Sequence, residues 1–177
     1  MGIIHNPHPV LLFVAALFNP RYSEDDIVKL IEREFGSIAL RTEVFPFDFS
    51  DYYRREMGDG LQKFFTFIDR LIMPEELLEW KLRAHNVEQR HANSGHRVIN
   101  CDPGYLEVPK LVLASTKNFS HRIYLGKGIY GDVQLFYRDE AFRPNSWTYP
   151  DYQLPQHLQF FQQARSFYRD KLSTHTQ

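Results

Sequence analysis

Val10-Leu-Leu-Phe-Val-Ala-Ala-Leu-Phe18, closed by Asn19-Pro20, decides the fold class. A membrane span takes roughly 20 apolar residues, and no basic n-region precedes this shorter run, so it reads as a buried strand and not as a signal peptide. Ser23-Glu-Asp-Asp26 then opens a helix, with Ser23 as N-cap and acids in the first turn, where the helix dipole favours them. Ile27, Leu30, Ile31 and Phe35 share one face of that helix, and Gly36 closes it. Next, Ile38, Leu40, Thr42 and Val44 alternate with Ala39, Arg41 and Glu43, as in a half-buried strand. The opening is β-α-β, a unit that can set its two strands parallel through a right-handed crossover.

Further along, Met57, Leu61, Phe64, Phe65, Ile68, Leu71 and Ile72 keep the i, i+3, i+4 spacing and predict a long second helix. Lys63 and Asp69 fall off that stripe and are expected to face solvent. Pro74 suits a first helical turn, and Glu75 to about His91 has helical composition. From Arg97 the pattern turns to strands: Arg97 to Asn100, a turn at Asp102-Pro103-Gly104, then His121 to Leu125 and Ile129 to Tyr137. Lys110 to Ser115 is a further strand or a short buried helix. A looped stretch with Pro144, Pro150 and Pro155 precedes a last helix near Gln156 to Lys171. The expected fold is α+β: a single domain over residues 1–177, with a mixed or antiparallel sheet of about five strands and helices mainly on one face. A ferredoxin-like core is one arrangement that fits.

Composition sets bounds on function. An apolar share of 43%, with 15% aromatic residues, supports a packed core. Lys plus Arg at 21 against Asp plus Glu at 22 leaves a net charge of -1, so no global field draws the chain to nucleic acid or to an anionic membrane. Such a partner has to use a local patch, and no membrane partner is expected. Cys101 is the single cysteine and has no internal disulfide partner, so a cytoplasmic, reducing location is expected.

One local patch stands out. Between Glu107 and Asp132 there is no acid, yet Lys110, Lys117, Arg122 and Lys127 are all present, with His121 beside them. Lysines also guard exposed strand edges, but cations with the hydroxyls of Ser115 and Thr116 suit a phosphate or carboxylate. Gly126-Lys-Gly128-Ile-Tyr-Gly131-Asp-Val133 matches G-x-G-x-x-G-x-V but leads into a strand, which excludes a dinucleotide-binding turn. No other protein-kinase element follows it, so Gly126, Lys127 and Gly128 read as a hairpin turn that can also lie over a phosphate. No G-x-x-x-x-G-K-[ST] occurs. Glu88-Gln-Arg-His91 is a lone E-x-x-H, and di-iron sites need two, so no metal site is assigned. No catalytic signature or cofactor motif emerges. The expected function is a small-ligand module for a phosphorylated or nucleotide-like anion held by Lys110, Ser115, Thr116, Lys117, His121, Arg122, Gly126, Lys127 and Gly128. The alternative is a non-enzymatic RNA-binding or protein-interaction domain that uses the same cations with Tyr124, Tyr130 and the aromatics of Trp147 to Tyr152.

Several segments together resemble a bacterial family, domain of unknown function 4416. They are Tyr52-Tyr53 with Glu56-Met57-Gly58, Asn100 with Asp102-Pro-Gly-Tyr105-Leu106, Lys110 to Asn118, His121 to Leu125, Gly128-Ile-Tyr130, and Trp147 to Tyr152. The resemblance spans nearly the whole chain. It implies a single-domain bacterial protein, and some members of the family carry the label GTP-binding protein; it implies no catalytic residues.

Overall fold

The first strand, β1 (Val10–Phe18), is buried at every position and lies at the centre of one large sheet. The computed structural model describes residues 2–175. Helix α1 (Glu24–Phe35) follows, its Asp26 amide bonded to the Ser23 side chain, and it ends at Gly36 with φ 118°. Strand β2 (Ile38–Arg41), the two-residue β3 (Phe45–Pro46) and the single turn α2 (Arg54–Met57) lead into β4 (Gln62–Ile72). A 3-10 turn at Pro74–Glu76 starts α3 (Leu77–Arg90). Then come β5 (Ile99–Glu107), β6 (Lys110–Ser115), β7 (Ile123–Gly126), β8 (Ile129–Arg138) and β9 (Ala141–Pro144). Another 3-10 turn, Pro150–Gln153, precedes α4 (Pro155–His175).

The sheet has nine strands in the order β2-β4-β1-β5-β6-β8-β7, with β3 beside β4 and β9 beside β8. Every neighbouring pair is antiparallel. Strands β1 and β2 do run the same way, as the β-α-β opening implies, but β4 is inserted between them.

The long helix expected from Met57 to Ile72 is instead α2 followed by β4, and the reason is burial on two faces. Phe64, Ile68 and Ile72 pack with α1 and α3, while Phe65 and Phe67 pack with α4. A strand covered on both sides keeps apolar residues at neighbouring positions, so its two-residue alternation disappears and the remaining set imitates i, i+3, i+4. Lys63, expected outside, is buried and paired with Asp151 at 2.5 Å. Asp69 is exposed, as expected, and pairs with Lys171 at 2.5 Å.

That strand, with the short β3 and β9, raises the sheet above about five strands. The helices divide between faces: α1 and α3 cover one, with Ile31, Ala84 and Val87 against Leu12 and Val14, and α4 covers the other, with Phe161, Ala164 and Tyr168 against Leu11 and Phe13. Asp102-Pro103-Gly104 is no turn but the middle of β5, which pairs with β1 from Ile99 to Leu106. Lys110–Ser115 resolves as a strand.

Candidate functional site

Strand β5 pairs with β6 only from Gly104 opposite Leu113 to Glu107 opposite Lys110. Beyond that point β5 stays with β1 while β6 follows β8 to Ser115, so the two strands fork. Two residues account for the geometry. Pro103 has no N–H to donate to a ladder, and a Cβ on Gly104 would collide with Val112 O and lie 2.8 Å from Leu113 Cδ2. Glycine lets the strands close at the base of the fork, and proline ends their pairing just above it.

The fork holds a cleft of about 530 Å³. Asn100 and Asp102 of β5 form one wall and Leu113 to Lys117 the other, while Lys81, His85 and Glu88 of α3 line one end. Tyr52, Tyr53 and Glu56 come from the segment around α2, and Tyr149 and Asp132 complete the lining.

A connected set of charges builds the α3 side. Lys81 Nζ reaches Asp102 Oδ1 at 2.9 Å and the Cys101 carbonyl at 3.3 Å. Glu88 Oε1 accepts the Cys101 amide at 2.7 Å. Arg97 donates to both oxygens of Glu56, at 2.7 and 2.6 Å, and to Asn100 Oδ1 at 2.7 Å; Asn100 Nδ2 in turn donates to Asp102 Oδ2 at 2.8 Å. Burial pushes the Glu88 carboxyl above its ordinary value, against the pull of Lys81. Burial opposes charge on Asp102 as well, but the adjoining Lys81 ammonium, together with Lys63 and the Asn100 hydrogen bond, holds that carboxyl below its ordinary value. Two carboxyls whose proton affinities are shifted in opposite directions thus share one cleft. Burial also raises the Tyr53 and Tyr149 phenols and the Cys101 thiol, so all three keep their protons.

The structure separates the residues that sequence reasoning grouped. Lys110 pairs with Glu107, and Lys127 pairs with Glu79 at 2.8 Å. Arg122, its side chain 3% exposed, donates from Nε to Asp132 Oδ2 at 2.7 Å. Its Nη1 donates to Ser115 Oγ and the Lys117 carbonyl, at 2.8 and 3.0 Å, and its Nη2 to Tyr149 OH at 2.8 Å. His121 stacks on Trp147 at 4.9 Å with Nε2 3.6 Å from Asp132 Oδ2. Gly126 and Gly128, with φ 125° and 78°, flank Lys127 in the β7–β8 turn.

The fork therefore brings Ser115, Thr116 and Lys117 to the cleft, with Arg122 bonded to its lining, while Lys110, Gly126, Lys127 and Gly128 are not among the lining residues. Glu107 and Asp132, which bound the acid-free interval, fold back and neutralise Lys110 and Arg122. Lys117 alone among the five basic groups of that interval has no carboxylate partner among the described residues; its Nζ lies 3.4 Å from the centroid of the Tyr52 ring.

Sequence reasoning did not bring Lys81, Glu88, Arg97, Asp102 and Asp132 together as a site. The available signal was Pro103-Gly104 inside an otherwise strand-like run, which marks broken pairing as well as a turn. Among the described residues no group of three or more His, Cys, Asp or Glu is placed to hold a metal ion, and no helix is long and apolar enough to cross a membrane.

The family model for the Domain of unknown function (DUF4416) matches residues 8–168, a span that includes every residue lining the cleft, and the chain belongs to that family. No curated protein and no solved structure matches the chain.

Proposed function

We propose that the chain is a small-ligand module whose forked cleft holds a phosphorylated or nucleotide-like anion. The observation that carries this reading is the placement of Lys117: an ammonium without a carboxylate partner among the described residues, on a cleft wall, next to the hydroxyls of Ser115 and Thr116. An ammonium with neighbouring hydroxyls suits a phosphate as a point charge with added donors. Tyr52, Tyr53 and Tyr149 supply ring faces for a planar group. Arg122 has its donors committed to four protein acceptors, so its role in this reading is to position Ser115, Lys117, Asp132 and Tyr149.

The strand order β2-β4-β1-β5, with α1 and α3 on one face, supports a ferredoxin-like split β-α-β core to which the β6-β8-β7 side is added. A lone, buried cysteine suits a cytoplasmic location.

A ligand that binds only the folded state raises apparent stability, by about 2.7 kcal/mol at a hundredfold excess over Kd. Thermal-shift measurements with phosphate, pyrophosphate and AMP are expected to show stabilisation that disappears in a folded Lys117→Ala variant and persists in Lys110→Ala. Equal shifts in wild type and Lys117→Ala would contradict the reading.

Phe119, Ile123, Tyr124 and Leu125, all exposed on or beside the edge strand β7, favour a second reading as a protein-interaction or RNA-binding domain. A short RNA in the same screen separates the two, because phosphate-backbone binding weakens steeply with salt.

A further inference from the structure

We propose that Asp132 and Tyr149 read the amino-heterocycle edge of the bound ligand: an exocyclic amino group beside a ring nitrogen, as in adenine or cytosine. This deepens the nucleotide-like reading above and rests on it. Asp132 is 1% exposed and lines the cleft. Its Oδ2 is taken by Arg122 Nε, whereas Oδ1 is buried and no group among the described residues bonds to it. A buried carboxylate oxygen without a donor is unfavourable; Asp132 lines the cleft, and in this proposal a ligand N–H entering there supplies the missing bond.

Tyr149 provides the complementary group. Its hydroxyl oxygen accepts from Arg122 Nη2 at 2.8 Å, so its own O–H is left to donate. Burial raises that phenol, which keeps the proton in place at neutral pH. The Nε–H and Nη2–H of a guanidinium project from one edge of the planar group, like the two tines of a fork. That edge therefore sets Asp132 and Tyr149 side by side, an acceptor next to a donor.

The pattern selects among bases. Adenine and cytosine present an N–H donor next to a ring-nitrogen acceptor, which matches the pair directly. Hypoxanthine and uracil present the reverse order and would have to shift by one ring position, against a phosphate anchored at Lys117. Guanine offers two parallel donors, which ask for both carboxylate oxygens, and Arg122 already occupies one.

Isothermal titration of AMP, CMP, IMP, UMP and pyrophosphate into wild type, Asp132→Asn and Tyr149→Phe tests the proposal. AMP and CMP are expected to bind at least about tenfold more tightly than IMP and UMP, the discrimination of a base-edge pair. Both variants are expected to narrow that ratio. Tyr149→Phe keeps the ring and leaves the Arg122–Asp132 pair intact, so it serves where Asp132→Asn does not fold. Equal binding of AMP and IMP, or tighter binding of IMP, overturns the edge-reading while the nucleotide-like reading survives. Binding of pyrophosphate without any nucleotide overturns it too and leaves only an anion site. Binding of none of the five overturns both.

Discussion

From β2 to β5 the sheet is covered by helices on both faces, and its central strands β1 and β4 bury Phe, Leu, Val and Ile in both directions. From β5 to β7 the ladder forks, and the opening is lined by Asp102, Asp132, Ser115, Lys117 and Tyr149. The first region is specified by close packing, the second by polar satisfaction around a space. Dense packing leaves no room for a cleft, and Pro103-Gly104 is where this sheet breaks its pairing and opens a space between its strands.

That contrast is broken or sharpened most severely by Phe65→Ala. Phe65 is fully buried, with ring contacts to Tyr152 at 4.6 Å, His157 at 4.9 Å and Phe45 at 5.4 Å. Denaturant unfolding is expected to register a loss of about 3–5 kcal/mol; a loss of a few tenths would mean that β4 is not covered on the α4 face. Lys63→Met comes next. It leaves Asp151 buried without its cation, a change that costs about 3–5 kcal/mol for comparable buried pairs, and the double variant Lys63→Met with Asp151→Leu should recover part of the loss.

Smaller effects are expected in the polar region, and they carry a pH signature. Hydrogen bonds from Arg97 hold the Glu56 carboxyl below its ordinary 4.5. Its stabilising contribution is therefore present above that value and lost as pH falls through the folded value. For Glu88 the sign reverses: burial raises its carboxyl, the folded state binds the extra proton, and stability relative to Glu88→Gln falls as pH rises from 4.5 towards the folded value. Melting temperatures of wild type, Glu56→Gln and Glu88→Gln across about pH 2 to 8 should give slopes of opposite sign, below 4.5 for Glu56 and above it for Glu88; parallel slopes would mean that the two carboxyls occupy similar environments. Lys117→Ala, on the exposed rim, is expected to change stability by no more than about 0.5 kcal/mol while removing the response to phosphate.

In the packed region one strand, β4, was hidden in sequence while its neighbours were not. The β-α-β opening was legible because α1 exposes one side and keeps a clean stripe, with Ser23 and Gly36 at its ends. β4 was not, because burial on two faces erased its alternation, and the aromatic density of Phe64, Phe65 and Phe67 was the better guide. In the forked region the segments Lys110–Ser115 and Ile129–Arg138 were recognisable from their apolar patterns. What composition concealed there was pairing with acids outside the interval: Asp132, at its far boundary, pairs with Arg122, and Glu79, 48 positions away on α3, pairs with Lys127, so a count of acids within the interval registers neither. Of the proposed anion set, Ser115, Thr116 and Lys117 share a wall because they are consecutive. Lys81, Glu88, Arg97 and Asp102 meet only once α3 packs on β5.

A crystal structure with AMP or pyrophosphate bound at saturating concentration tests the central claim most directly. The account predicts phosphate density in the fork between β5 and β6, in contact with Lys117 Nζ and the hydroxyls of Ser115 or Thr116. Density at Lys110 or Lys127 with an empty fork, or no bound anion at all, would contradict it.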